Sequence, residues 1–524
     1  KRGEGPDGLS PFLCVVSAEL TMMGEGRGMM PEKPFVSLRA LVLAWISALG
    51  VMQVLLWRYL GLGLGWFAVS GGALVALLLL LARQNWPAYR IDPRIFAVTL
   101  PLSILLLMLG GEGGLFYATP DWQVRYAVLH DLATQPWPFA FARYGGPLIL
   151  RLPLGMYLLP GLVGQYAGFP AACWALLVQN SLLLTGLLAM GSALFEGTRR
   201  QWLALGSFLG FSGMDVLGQW VAGKSLALHL EGWAGVQFSS TITQVFWVPQ
   251  HAMAGWVLAV LYLLWWRGLV PLAVLVAAMP LVALLSPLAM IGGLPFVAYA
   301  GGVTLWRRVL PWRECLAGGL AVVACIPALL YLTAGSGAVK QGAAHSFHIT
   351  GYPLFILLEI GAYCFALWQL RHRQPFGLAT SVMTVLVLLS VPFGQIGDGV
   401  DFAMRASIPA LAILALSVGH VLGETGPWAK QAKVWIVVAL AFGSATPVGE
   451  IWRAVTWPKA TPVLCGYLGV IRNGYATYTA PWEALPEAIR SPQTHVVVPN
   501  NPDHCWARVW RDPVSGKASF EHPY

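Results

Sequence analysis

GLGWFAVSGGALVALLLLLA (63–82) runs for twenty residues without a charge, and RQNWPAYRIDPR (83–94) follows it with three arginines. A helix needs about 20 apolar residues to cross a hydrocarbon core of roughly 30 Å, and short Arg-rich loops mark the cytoplasmic side of such helices. The same alternation extends in both directions. Apolar runs recur at 36–57, 95–111, 171–195, 202–221, 251–266, 270–285, 288–305, 315–334, 352–370, 377–394, 407–423 and 434–450. The expected fold is therefore an all-α polytopic membrane protein with about 13 transmembrane helices. Ser286 and Pro287 mark the tight turn between two runs that can form one broken hairpin. The apolar segment 148–168 contains Arg151, Pro153 and Pro160, which favours an interfacial or re-entrant helix.

Composition agrees. Of 524 residues 57% are hydrophobic and 10% are charged, against about 25% charged in soluble chains. The 24 Trp and 58 Gly suit interfacial anchoring and close helix packing. The net charge of +9 is spread over short loops, so it reads as topology and no nucleic-acid partner is expected. Loops 83–94, 197–201, 267–269, 306–314, 371–376 and 424–433 hold 13 Lys and Arg in 45 residues. The alternate loops 58–62, 112–170, 222–250, 335–351 and 395–405 hold 7 in 121. That contrast predicts a cytoplasmic N-terminus and an extracytoplasmic C-terminus. Residues 1–35, rich in Gly, Glu and Met, are expected to be a disordered or artefactual N-terminal segment, with Met22, Met29 and Met30 as alternative starts. Residues 36–450 form the transmembrane domain, with interfacial helices in the outer loop 112–170. Residues 451–524 form a small α/β or irregular extracytoplasmic appendage that packs on the loops, with a strand-like THVVVPNN (494–501), and its Cys465 and Cys505 are expected to pair in an oxidising compartment.

The polar residues collect on the outer side. The inner loops are too short for a catalytic domain, and no GxxxxGK[ST] phosphate loop occurs. The longest outer loop reads GGEGGLFYATPDWQVRYAVLHDLATQPWPFAFARYGG (110–146). Thr119-Pro120-Asp121 signals a helix start, and Asp121 and Arg125 are i,i+4 neighbours on that helix. His130 and Asp131 follow on it. Asp121 is either a helix N-cap or a functional acid. At 394–409, GQIGDGVDFAMRASIP puts Asp398, Asp401 and Arg405 at a membrane edge. An ion pair there is either a structural salt bridge or part of a site. His251 follows Trp247, Pro249 and Gln250 at the mouth of a span. His345 and His348 lie three apart, but no third ligand is identifiable, so no metal site is assigned. Asp215 either lines a cavity or caps a helix break, and Glu359 is expected to hydrogen-bond a neighbouring helix.

An acid just outside a membrane helix, followed by an interfacial helix, resembles the first extracytoplasmic loop of the GT-C membrane glycosyltransferases. These include protein O-mannosyltransferases, aminoarabinose transferases and the oligosaccharyltransferase catalytic subunit. DFAMRASIPAL (401–411) and WVPQHAMAGW (247–256) are similar to stretches of GT-C-like bacterial membrane proteins. The resemblance implies an enzyme of the bacterial inner membrane that takes a sugar from a polyprenyl-phosphate or diphosphate donor to a glycan, lipid or protein. It implies Asp121 as general base, since an attacking hydroxyl must lose a proton. The leaving phosphate gathers charge and calls for a cation, for which the outer loops offer Lys340, His345, His348 and Arg405. Arg125, His130, Asp131, His251, Asp398 and Asp401 are further substrate-binding candidates. No cofactor beyond the lipid-linked donor is implied, and a divalent metal has no support. Arg125, Arg143 and Arg151 keep open an O-antigen-type polymerase or ligase. A non-enzymatic transporter of lipid-linked glycans would need charges deep in several spans and an internal repeat. Sugar, acceptor and oligomeric state are not legible.

Overall fold

The computed structural model describes residues 35–226, 229–307, 312–344, 351–397, 399–459, 462–471, 476–500 and 505. Residues 36–524 cluster as one compact unit. In chain order the elements begin β1 (Val36–Ser37), α1 (Leu38–Tyr59), α2 (Leu64–Ala82), β2 (Arg90–Ile91) and α3 (Arg94–Gly110). The long outer loop supplies α4 (Asp121–Thr134), β3 (Phe139–Phe141), β4 (Leu148–Leu150) and α5 (Gly155–Ala167). Next come α6 (Phe169–Ser192), α7 (Thr198–Leu209), α8 (Asp215–Val221), α9 (Thr241–Trp247), α10 (Pro249–Trp266), α11 (Leu272–Leu281), α12 (Pro287–Trp306) and α13 (Trp312–Thr333). The remainder is β5 (Gln341–Ala343), α14 (Tyr352–Ile356), α15 (Ala362–Gln369), α16 (Leu378–Ser390), β6 (Gly394–Ile396), α17 (Asp401–Ala406), α18 (Ile408–Gly423), α19 (Lys430–Gly443), α20 (Ala445–Thr456), α21 (Tyr467–Val470), β7 (Thr479–Pro481) and β8 (His495–Val497).

The protein is mostly helical, and among the described residues seven helices are long and apolar enough to cross a membrane. This marks a membrane protein. Arg94–Gly110, Leu272–Leu284, Leu378–Phe393 and Ile408–Gly423 are shorter apolar helices. The expected span 202–221 is interrupted. α7 ends at Leu209 and α8 starts at Asp215, whose Oδ2 accepts from Ser212 Oγ and Thr446 Oγ1, each at 2.8 Å. Asp215 thus satisfies polar groups at the break, which a buried interruption requires.

α2 exposes Leu64, Val69, Val75 and Leu79, whereas α10 is buried along nearly its whole length. One helix faces outward with an apolar surface and the other is the core. Where helices meet, small residues let the backbones close up. A Cβ at Gly292 of α12 would overlap the carbonyl oxygen of Ala406 at the end of α17. Ser286 N-caps α12, its Oγ accepting from Ala289 N at 3.1 Å, with Pro287 in the first turn. This is the chemistry of a tight turn between α11 and α12.

Two features depart from the sequence reading. The segment 148–168 opens as a strand before its helix α5 packs on α1, α4 and α6. The C-terminal region, expected to pack on the loops, goes further and shares a sheet with them. β7 and β8 complete a four-stranded sheet with β3 and β4, in the order β7-β4-β3-β8. β8 pairs parallel to β3, with Phe139 opposite His495, and β7 antiparallel to β4, with Ile149 opposite Ala480. Cys465 and Cys505 are bridged, with Cα atoms 4.8 Å apart. A second link joins distant loops: β5 pairs antiparallel with β6, and Gly397 N donates to Lys340 O at 2.9 Å.

Candidate functional site

The connections α3–α4, α8–α9 and α16–α18, together with the C-terminal region, enclose a cavity of about 480 Å³. Its charged and polar wall is Asp121 on α4, His229, Gln237 and Ser239 before α9, Asp401 and Arg405 on α17, and Tyr478 before β7. Trp247, Val124, Val248 and Met404 supply the apolar part. A few convergent polar groups on an otherwise apolar pocket are the ordinary form of a small-molecule site. A second cavity, about 320 Å³, lies between α3, α6, α7, α10 and α18. Its walls are largely apolar (Leu187, Phe208, Trp256, Leu416), with Asp92 and Arg94 at its edge.

Two acid–arginine pairs face each other across the first cavity. Arg125 Nη2 lies 3.5 Å from Asp121 Oδ2, and Arg405 Nη1 donates to Asp401 Oδ2 at 2.9 Å. Both pairs are spaced i,i+4, so one helical turn brings each together. Arg125 is buried and fixed from behind, with Nε donating to Trp247 O and Nη1 to Tyr157 OH, each at 3.1 Å. Pro120, not Asp121, stands at the N-cap of α4. Asp121 is therefore in the first turn with its carboxylate on the cavity. Tyr478 faces both pairs, and its burial raises the phenol above its ordinary value.

A polar cluster that the sequence reading did not assemble stands behind His229, Gln237 and Trp247 of the cavity lining. His229 Nδ1 lies 2.8 Å from Glu450 Oε1, and Trp247 Nε1 donates to Glu450 Oε2 at 3.0 Å. Arg453, one turn along α20, pairs with Glu450. Glu231 Oε2 is 3.7 Å from His229 Nε2 and accepts from Gln237, while its Oε1 accepts from Ser240 N at 2.7 Å. Burial raises the Glu231 carboxyl above the usual range, and burial lowers the His229 imidazole. The clue in the sequence is the spacing of Glu450 and Arg453. Their partner His229 is over two hundred residues away, so no local pattern announces it.

Other candidates lie elsewhere. Asp131 is buried and accepts from Tyr467 N at 2.6 Å. It docks the C-terminal region rather than a ligand, and burial pushes its carboxyl up to about 7. His130 packs edge-on against Phe169, ring centroids 5.1 Å apart, on a face of α4 away from the cavity. His251 is buried, with Nδ1 2.8 Å from Ser286 Oγ, where it braces the α11–α12 turn. Lys340 is exposed and outside the cavity lining. His345, His348 and Asp398 lie outside the described residues. Among the described residues no group of three His, Cys, Asp or Glu is arranged to hold a metal ion.

Fold and site together define a helical membrane protein with a charged cavity lined by α4, α9, α17 and the residues before β7. Compared with family models, curated proteins and solved structures, the chain gives no match.

Proposed function

We propose that this protein is a GT-C-type glycosyltransferase that moves a sugar from a polyprenyl-phosphate or diphosphate donor to a glycan, lipid or protein acceptor. The observation that carries the reading is the shared cavity of Asp121 and Arg405, which come from loops far apart in the sequence. In this reading Asp121 takes the acceptor proton, and Arg405 faces the donor phosphate, whose charge grows as the sugar leaves. Arg143 and Arg151 are absent from the cavity lining, and Arg151 is engaged with the carbonyls of Leu332 and Ala476. That favours sugar transfer over a polymerase or ligase built on several outer arginines.

The accompanying topology is thirteen crossings in the bacterial inner membrane, with the cavity and C-terminus outside. It counts the seven long helices, the four shorter apolar ones, α10, and α7 with α8 as one broken span. Asp121→Asn, reconstituted in vesicles containing polyprenyl-phosphate hexoses, tests the chemistry. Transfer per folded molecule should fall about 10²–10⁴-fold, as for loss of a general base, with the folded fraction read by thermal melting because Arg125 loses its counter-charge. Full activity in this variant ends the assignment.

A further inference from the structure

His229 is held in one orientation. Its Nδ1 lies 2.8 Å from Glu450 Oε1 and 3.3 Å from Arg453 Nη2; the shorter contact is to a carboxylate, which can only accept, and it assigns the proton to Nδ1. Glu450 is 4% exposed and is itself fixed by Trp247 Nε1 at 3.0 Å and by Arg453. The remaining nitrogen, Nε2, is then the basic one. It points toward Gln237, 3.5 Å away, and Glu231, 3.7 Å away. The side chain is 24% exposed, and it lines the same cavity as Asp121 and Arg405. A carboxylate-oriented imidazole with its free nitrogen on a cavity is the arrangement used to accept protons.

Asp121 alone meets a difficulty. Its carboxylate balances the buried Arg125 guanidinium at 3.5 Å. Once Asp121 is protonated, Arg125 loses that counter-charge, and an uncompensated buried charge is strongly destabilising. His229 has the opposite surroundings, because an imidazolium there would sit between Glu450 and Glu231. We propose that His229 is a second proton-accepting residue of the cavity, positioned by Glu450, and that it receives the proton Asp121 takes from the acceptor. This rests on the sugar-transfer reading. In the step, the acceptor oxygen bonds to the anomeric carbon while the bond from that carbon to the phosphate oxygen breaks, its electron pair leaving with the phosphate. The hydroxyl proton goes to Asp121 and then to His229 Nε2, and the Asp121–Arg125 pair is restored. Proton loss to the outer solution resets His229.

The charged groups around the ring are Glu231 on its own loop, Asp121 on α4, Asp215 on α8, and Glu450 and Arg453 on α20. Burial, with Arg453 acting in the same direction, lowers the imidazole below its usual 6.5 against the pull of the three acids Glu231, Asp215 and Asp121. His229 is therefore neutral and ready to accept at neutral pH.

Diethyl pyrocarbonate, which acylates neutral imidazole, tests the geometry without any assay of transfer. On the full chain in nanodiscs, peptide mass spectrometry should find His229 modified, with a midpoint below pH 6.5. Glu450→Gln should move that midpoint lower, because it removes the charge that favours the imidazolium. A His229 that stays unmodified up to pH 8, or a midpoint identical in the two proteins, overturns the proposal. In the transfer assay His229→Gln should lose about 10²-fold together with the acid limb of the rate–pH profile, and Glu450→Gln should shift that limb downward. A His229→Gln protein with the wild-type rate and limb also overturns it. If the wild-type protein transfers no sugar while the labelling behaves as expected, the transfer reading fails and His229 stands as a proton-accepting group of the cavity.

Discussion

Asp131 is buried beneath the C-terminal region, and its carboxyl accepts the backbone N–H of Tyr467. Gly466 permits this approach, since a Cβ there would collide with the Asp131 carboxyl. Burial raises the carboxyl to about 7, above the 3.8 of a free aspartate. An acid raised on folding contributes stability that is fully present below its unfolded value and is lost as pH rises through the folded one. Docking of the C-terminal region should therefore weaken between about pH 4 and pH 7 and level off above. Asp131→Asn keeps an acceptor for Tyr467 and should abolish that slope, as read by limited proteolysis of the C-terminal region across the range. A slope retained in the variant assigns it to another group. At this scale the sequence spoke clearly where partners were near. Asp121 with Arg125 and Asp401 with Arg405 are one turn apart and were legible as pairs. Asp131 was misread as a ligand contact because its partner, Tyr467, lies more than three hundred residues away and nothing local points to it.

Among the elements, the long apolar helices were legible because twenty residues without charge have few other uses. Of the four-stranded sheet only β8 was, within the strand-like THVVVPNN (494–501). Its strands are three residues each, too short for a period-two pattern, and half of them arrive from the far end of the chain. The break between α7 and α8 was legible as one of two readings, because Asp215 after FSGM (211–214) could line a cavity or cap a break. Near the sheet, the Cys465–Cys505 bridge closes a 40-residue separation. Opening such a loop typically costs about 2–4 kcal/mol. Cys465→Ser should sharply raise cleavage between 465 and 505 while leaving the helices protease-resistant. Equal cleavage with and without the bridge shows that β7, β8 and Asp131 hold the region by themselves.

For the whole molecule, the charge contrast between alternate loops sets the proposed orientation. Single cysteines at the exposed positions 340 and 483, in a background that keeps Cys465 and Cys505, should react with an impermeant maleimide from the periplasmic face. One at 371 should not. Labelling at 371 alone reverses the topology and moves the cavity to the cytoplasm. The sheet order β7-β4-β3-β8 has a consequence for how the molecule is made. The hairpin β3–β4 emerges from the ribosome first, and its two neighbours follow more than three hundred residues later. Thr477 and Tyr478, which wall the cavity, come with them. Every membrane helix can be inserted and the pocket still stand open on one side. The polar chamber thus takes its final shape only once these later strands have been made and stitched in.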